Sequence, residues 1–235
     1  MILKELSIGY TSSAPVVSAI EAELACGQFI CLLGRNGSGK STLLRTLAGL
    51  QKPLSGSISL SNPPSTLHIT HSTFHSTHYS FHTTLVTPHC PDLQHTTVSE
   101  LVAYGRLPHT GIFGKLSAID HQAADEAIEK VGIKALSDRL IHTLSDGERQ
   151  KALLARALAQ GSPTLLLDEP SAFLDYPSRR QLMQLLVALA HDEGKAILLS
   201  THDVELATQY ADWLWVIHDH SLFQKSPKEF NPEEL

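Results

Sequence analysis

A glycine-rich octapeptide, set between an apolar run and a leucine-patterned segment, constrains the fold more than any other feature of this chain. It matches the pattern G-x-x-x-x-G-K-[ST], and with the threonine after it comprises Gly34, Arg35, Asn36, Gly37, Ser38, Gly39, Lys40, Ser41 and Thr42. The glycines let successive backbone N–H groups face a polyphosphate, and the following helix adds its partial positive charge. The lysine is expected to neutralise the β- and γ-phosphates, and the serine hydroxyl to bind Mg²⁺.

Short apolar runs alternate with helical patterns on both sides of this phosphate loop. Strands are predicted at 28–33, 165–167, 196–200 and 213–217. Helices are predicted at 42–50 and 179–191, and residues 99–160 are mostly helical in pattern. The alternation predicts an α/β fold with a mostly parallel sheet, and the helical middle predicts an inserted α-helical subdomain.

Composition excludes several classes of protein. Eighteen Lys and Arg against twenty-four Asp and Glu give a net charge of −6, so no basic nucleic-acid surface is expected. No apolar run reaches the ~18 residues that cross a bilayer, and the first residues do not resemble a signal peptide. The three cysteines are too few and too irregularly spaced for a disulfide framework or a zinc cage. We therefore expect a soluble cytoplasmic protein with reduced thiols.

Two carboxylates follow the predicted strand 165–167. Asp168 is placed to bind Mg²⁺, directly or through water, and Glu169 to act as the general base that polarises the attacking water. Ligands of parallel sheets collect at the carboxyl ends of the strands. The pair is therefore expected near the phosphate loop.

A third motif precedes the predicted helix over residues 152–158. Ser145 and Glu148 have the spacing of a capping box, so Ser145 is predicted to cap this helix. A capped helix start with a small residue, Gly147, can also meet an anion.

Along the chain the phosphate loop comes first, then the capped helix start, then the carboxylate pair. With these three motifs in this order, the sequence resembles the nucleotide-binding subunit of an ABC transporter. The family's signature motif L-S-G-G-Q stands here as Leu144-Ser145-Asp146-Gly147-Glu148. The resemblance assigns Asp175 to the D-loop, His202 to the switch histidine and Tyr10 to the aromatic residue that stacks on adenine. It covers nearly the whole chain and weakens only across residues 61–97.

The resemblance implies a RecA-like P-loop NTPase fold with an antiparallel β edge. It also implies one ABC ATPase domain, with a nucleotide-binding core at 1–87 and 161–235 and a helical subdomain at about 88–160. Two copies would enclose two ATP molecules head to tail. Ser145 and Gly147 of one copy would then contact the γ-phosphate held by Lys40 of the other, while His202 contacts the same phosphate and Glu169 positions water.

The sequence departs from the family where a glutamine normally lies near Mg²⁺ and the membrane partner. His89 falls at or next to that position, and Gln94 is a nearby alternative. Histidine is a poorer ligand than an amide oxygen for Mg²⁺. This substitution is therefore expected to affect coupling more than ATP binding.

Residues 61–99 form a biased segment with one charged residue, seven histidines and fifteen Ser or Thr. On a helix its repeated histidines would share a face and could chelate Zn²⁺, Ni²⁺ or Cu²⁺; they are His68, His71, His75, His78 and His82. The Ser, Thr and aromatic residues between them favour strand or loop instead. A loosely packed, solvated excursion is the preferred interpretation.

Three segments of the sequence are similar to the branch of importers that handle iron chelates, haem or cobalamin. They are residues 101–109, the signature motif in the form it takes here, and residues 173–175. This resemblance implies a separate permease, a substrate-binding protein as indirect partner, and a peripheral place at the cytoplasmic face of the membrane. A zinc or manganese importer subunit, a non-transport ABC ATPase such as an iron–sulfur assembly factor, and an inactive copy stay open as alternatives.

Overall fold

The computed structural model describes residues 1–11, 13–62, 65–70, 82–88, 93–111 and 113–232. Within 61–62 and 65–70 it describes the backbone only. In the described ranges, no helix is both long enough and apolar enough to cross a bilayer.

Six strands form the central sheet, in the order β10-β9-β3-β8-β7-β6. Their bounds are β3 Phe29–Gly34, β6 Thr83–Val86, β7 Thr164–Asp168, β8 Ala196–Ser200, β9 Trp213–His218 and β10 Ser221–Lys225. All neighbours run parallel except β9 and β10. Every residue of β3, β7 and β8 is buried, as expected for strands covered on both faces.

A second sheet of four antiparallel strands has the order β2-β1-β4-β5. Its bounds are β1 Ile2–Thr11, β2 Ala14–Glu23, β4 Ser55–Asn62 and β5 Ser65–Thr70. Part of the biased segment is therefore regular structure, because β5 pairs with β4 over six residue pairs.

Six α-helices lie in the described ranges. Their bounds are α1 Lys40–Leu47, α2 Val98–Ala103, α3 Ala118–Val131, α4 Asp146–Gln160, α5 Tyr176–His191 and α6 Val204–Tyr210. α1 follows β3 directly, whereas α2, α3 and α4 all lie in the chain between β6 and β7. The predicted capping box of α4 is confirmed, with Ser145 and Glu148 in their expected places.

Two apolar cores flank the central sheet. One lies between one face of the central sheet, the antiparallel sheet and α1, which contributes Leu43, Leu44 and Leu47. The other packs α2, α3, α4 and α5 against the opposite face.

The predicted strands and the two predicted helices are confirmed, although α1 begins two residues before and α5 three residues before the expected start. The division into a core and a helical subdomain stays a prediction.

Candidate functional site

The phosphate loop begins where β3 ends, at positions where a side chain has no room. A Cβ on Gly34 would lie 2.6 Å from Ser38 Oγ and 2.9 Å from the carbonyl oxygen of Ile217. Gly39 has a φ of +107°, in the left-handed region, and its Cβ would lie 2.6 Å from Val16 Cγ1. These approaches are too close for a real Cβ, so this path of the loop requires glycine at both positions.

Lys40, the first residue of α1, is buried with its ammonium group inside the loop. Its Nζ donates to Gly34 O at 2.7 Å and to Arg35 O at 3.1 Å. Burial lowers the pKa of the Lys40 ammonium, while the charges of Glu169 and Asp168 raise it. The loop therefore surrounds a partly desolvated cation, which favours contact with phosphate oxygens.

The loop also presents donors that the protein itself does not use. Ser38 Oγ is buried and finds no hydrogen-bond partner among the described residues. α1 has no side-chain cap at Gly39 and no acidic residue in its first turn. An uncapped helix start beside an unpartnered hydroxyl is suited to bind an anion.

Ser200 ties the carboxylate of Asp168 and the backbone of Glu169 to the neighbouring strand. Asp168 and Ser200 end β7 and β8 and are paired in register. Ser200 Oγ donates to Asp168 Oδ1 at 2.8 Å and accepts from the backbone N–H of Glu169 at 3.0 Å. Asp168 is only 8% exposed, so its carboxylate is held in place beside the sheet.

Glu169 and His202, predicted separately from the sequence, lie in direct contact. Glu169 Oε1 is 2.7 Å from His202 Nε2. Glu169 has a φ of +50°, which is costly for a residue with a side chain. Together with Thr201, Asp203 and Arg179 they line an open cleft of about 230 Å³, into which water can enter.

Tyr10 lies at the start of α1 on the side of the antiparallel sheet. Its hydroxyl is 3.5 Å from Thr42 Oγ1, at the limit of a hydrogen bond, and the residue is 73% exposed. An exposed aromatic ring next to a phosphate loop is available to stack on a base. The structure thus brings Tyr10, the loop and the Asp168–Glu169 pair to one end of the β3 strand.

The signature segment is organised around its own helix start. Ser145 Oγ donates to Glu148 Oε2 at 2.9 Å, and the backbone N–H of Glu148 donates to Ser145 Oγ at 3.3 Å. Hydrogen bonds from Ser145 lower the pKa of Glu148. The neighbouring Asp146 forms an ion pair with Arg149 at 3.1 Å.

Gly147 lies against the turn that follows the carboxylate pair. A Cβ on Gly147 would lie 3.0 Å from Leu174 Cδ2. Asp175, the residue after Leu174, caps α5 by accepting from the backbone N–H of Ser178 at 2.9 Å. In the described chain, the hydrogen bonds of Ser145 and Asp175 stay within their own helix starts. A single chain therefore does not bring these three residues to the phosphate loop.

Several predicted residues fall outside the described part of the chain. His89 is one of them, as are His71, His75 and His78. Gln94 is described and exposed, and His82 lies in a turn before β6. His68 belongs to β5, so the helical arrangement of histidines does not hold there. Among the described residues, no group of three or more His, Cys, Asp or Glu could hold a metal ion.

Sequence reasoning missed two residues that shape the site. Ser200 holds the carboxylate of Asp168 and the backbone N–H of Glu169, and Arg179 reaches from α5 to Asp203 Oδ2 at 3.2 Å. The position of Ser200 at the end of a predicted strand, directly before Thr201 and His202, is a signal that could have identified it. No local pattern marks Arg179.

Similarity to known proteins agrees with this geometry. Residues 17–172 match the family model described as ABC transporter. The achromobactin transport ATP-binding protein of Dickeya dadantii is 34% identical, over 99% of this chain and 84% of that protein. The ferric enterobactin transport ATP-binding protein of Escherichia coli is 35% identical, over 99% of this chain and 83% of that protein.

Solved structures share the fold. A metal-chelate type ABC transporter in an inward-facing conformation aligns with a TM-score of 0.81 and 24% identity, covering 97% of this chain and 83% of that one. A dimeric bacterial ABC transporter cassette also aligns with 0.81, at 22% identity, covering 97% and 99%. The predicted fold class is confirmed. Fold, motifs and relatives together show that the chain belongs to the ABC transporter family, as an ATP-binding subunit with ATPase activity.

Proposed function

We propose that this subunit energises the import of an iron chelate, haem or a cobalamin-type cargo. The observation that carries the proposal is the similarity, over 99% of the chain, to proteins named for achromobactin and ferric enterobactin transport. Other relatives are named for iron(3+)-hydroxamate and cobalamin import, at 34% and 35% identity. No residue described above contacts cargo, so the cargo is assigned through these relatives alone.

In the proposed site the phosphate loop holds the triphosphate of ATP. Lys40 leaves the loop carbonyl groups for the β- and γ-phosphates, and Ser38 gains the partner that its buried hydroxyl lacks. Backbone N–H groups from Gly34 to Thr42 contribute the remaining donors, and Tyr10 stacks on adenine.

The residues at this end of the sheet fit Mg²⁺. The buried carboxylate of Asp168 and the hydroxyl of Ser41 are oxygen donors, the class that this hard cation prefers. When bound, Mg²⁺ would neutralise charge on the transferred phosphoryl group. Ser200 would keep Asp168 oriented by occupying one of its carboxylate oxygens.

Glu169 is the proposed general base of hydrolysis. Its carboxylate would accept a proton from the water that attacks the γ-phosphate, in the cleft that it shares with His202. The 2.7 Å contact between His202 and Glu169 supports a role for His202 in orienting this carboxylate and in contacting the γ-phosphate. Such a base contributes typically 10²–10⁴-fold to the rate.

We propose that two copies complete the site head to tail. The reason lies in the single chain. Among the described residues, Ser145 and Asp175 cap their own helices and Gly147 lies against Leu174, so none of the three is bonded to the phosphate loop. In the proposed dimer they approach the nucleotide of the partner copy. Closure on ATP and reopening after hydrolysis would then move the attached permease.

The permease is proposed to dock on the helical subdomain, within residues 88–160, which places the subunit at the cytoplasmic face of the membrane. Between residues 104 and 119 four large apolar side chains are exposed: Tyr104, Leu107, Phe113 and Ile119. Phe113 is 97% exposed. Exposed apolar side chains in this density are typical of an interaction surface.

The test is purification of the tagged chain from detergent-solubilised membranes, with mass spectrometry of the bound proteins and an ATPase assay on the same sample. We expect a polytopic permease, and an ATPase activity that Glu169→Gln lowers at least 100-fold while ATP binding persists. Glu205→Gln, on the exposed face of α6, is the control and should retain full activity.

The bound proteins also separate the alternatives. A permease that transports zinc or manganese would contradict the cargo. Exclusively non-membrane partners would contradict import and favour a non-transport ABC ATPase. Full activity of Glu169→Gln would contradict the assignment of the base.

A further inference from the structure

A cleft that the ATPase mechanism does not use lies between α3, α4 and α5. Its volume is about 180 Å³. Its floor and walls are mainly apolar, with Val131 from α3, Leu154 from α4, Pro170 and Leu174 from the turn after β7, and Leu182 and Leu185 from α5. We call it the interhelical cleft.

One polar group in the wall of the interhelical cleft is not satisfied by the protein. Gln150 of α4 is only 4% exposed, and its Nε2 has no hydrogen-bond partner among the described residues. Leaving such a donor buried and unpaired destabilises the fold. A molecule that enters the cleft with an oxygen acceptor at its leading end would supply the missing partner after a small rotation of the amide.

The charges at the cleft have one sign. Lys130 and Lys151 line it, and none of the residues that line it is acidic. Lys130 forms an ion pair with Glu193 at 2.7 Å. Lys151 interacts at longer range with the carboxylates of Glu148 and Asp175. An apolar slot with an unpaired amide donor and two lysines at its wall is complementary to an amphipathic anion.

We propose that the interhelical cleft binds a small molecule with a single carboxylate on an apolar body, such as a medium-chain fatty acid. The apolar body lies against Leu154, Leu182 and Leu185, and the carboxylate meets Gln150 and Lys151. Because the lining joins α4 to the turn at Pro170 and Leu174, the ligand stabilises the packing of these two segments. Binding needs no nucleotide, so the proposal is independent of the proposed transport function.

The test is isothermal titration of the purified full chain with octanoate, in parallel with 1-octanol and octylamine. We expect saturable one-to-one binding of octanoate with a Kd of about 0.1–1 mM, an affinity that lies within the limits known for a ligand of ten heavy atoms. The alcohol should bind at least about fivefold more weakly, and the amine not at all. No saturation by octanoate up to about 5 mM, or equal binding of all three, would overturn the proposal.

Two substitutions on α5 provide a matched pair for the same titration. Gln181 lines the cleft and Gln184 lies on the same helix outside the lining, and both are exposed. Gln181→Glu should weaken octanoate binding about threefold or more by repulsion, whereas Gln184→Glu should leave it within twofold. Equal effects of the two substitutions would place the carboxylate elsewhere.

A third variant tests the amide itself. Gln150→Met keeps the length and the burial of the side chain but removes its donor. It should weaken octanoate about tenfold and octanol by less, because a hydrogen bond to a carboxylate is stronger than one to a neutral hydroxyl oxygen. An unchanged octanoate affinity in a folded Gln150→Met protein would exclude Gln150 from the site.

Discussion

The start of α1 and the starts of the three helices between β6 and β7 are built in opposite ways. α2, α3 and α4 each begin with a complete capping box, in which the chain's own carboxylate accepts from the helix N-terminus: Thr97 with Glu100, Ser117 with Asp120, and Ser145 with Glu148. α1 begins at Gly39 with no side-chain cap and no acidic residue in its first turn.

The difference separates a helix start that is stable by itself from one that is suited to an external anion. Capping satisfies N–H groups that would otherwise have no partner, and a carboxylate there also interacts favourably with the helix dipole. At α1 a bound phosphate would accept from the N–H groups and interact with the helix dipole, and Lys40 would balance its charge. The start of α4 combines the two situations. In the proposed dimer it contacts a phosphate of the partner copy, although the carboxylate of Glu148 already lies at this helix N-terminus.

The largest expected effect is at the open helix start. Lys40→Met should raise the Kd for ATP by about 10- to 100-fold, because a charge-assisted hydrogen bond is lost while the buried stem keeps its packing. Equilibrium binding of ATP measures it. Lys228→Met, on an exposed residue near the end of the described chain, should bind ATP normally. Unchanged affinity in Lys40→Met would show that the loop does not bind the triphosphate.

The next effect distinguishes a crowded glycine from a free one. Gly39→Ala and Gly132→Ala both place a methyl group at a left-handed φ, but only the first would collide, with Val16 Cγ1 at 2.6 Å. Valine has little freedom to turn away. In urea unfolding, Gly39→Ala should therefore lose about 1–3 kcal/mol more than Gly132→Ala. Equal losses would mean that the antiparallel sheet does not hold the loop.

A smaller effect concerns the thermal stability that the capping box of α3 provides. Hydrogen bonds from the side chain and backbone of Ser117, and then Arg106, lower the pKa of Asp120 to about 2. Ser117→Ala should lower the Tm by about 2–4 °C at pH 7, measured by circular dichroism. Ser13→Ala, in an exposed turn, is the control.

The sign of the pH dependence follows from the lowered pKa. A depressed pKa stabilises the fold above the unfolded value of 3.8 and ceases to do so as pH falls through about 2. The Tm deficit of Ser117→Ala should therefore be constant above about pH 5 and shrink below pH 4. A deficit that grows on acidification would contradict this account.

The smallest effect concerns Glu148 itself. Glu148→Gln keeps the capping box but removes a negative charge from the start of α4. Because such a charge is worth about 0.3–1 kcal/mol at a helix N-terminus, ATPase activity should rise about twofold to fivefold when a partner's phosphate no longer competes with it. Glu126→Gln, exposed on α3, should have no effect. A lower rate in Glu148→Gln would mean that the carboxylate assists the site.

Local chemistry was predictable from the sequence, and long-range contact was not. The strands around Ile30, Leu166 and Leu198 are continuous apolar runs, and the capping box of α4 follows from a four-residue spacing. Boundaries moved by two or three residues because Gly39 and Asp175, rather than the first apolar residue, set the helix starts.

The remainder depends on which strands and helices become neighbours. Nothing in the sequence places Ser200 against Asp168, because their register is set by the pairing of β7 with β8. The same holds for Gln150, which reads as an ordinary polar residue of a helix and becomes an unpaired buried amide only when α4 packs near α5.

The left-handed backbone of Glu169 sets the stability of the fold against the proposed role of this residue in hydrolysis. A side chain in that conformation costs about 1–2 kcal/mol that glycine would avoid and asparagine would reduce. A chain selected for stability alone would replace Glu169 by one of these residues. Directed evolution for heat resistance without a requirement for ATP hydrolysis should therefore find Glu169→Gly early, and so identify this residue as a place where stability and activity compete.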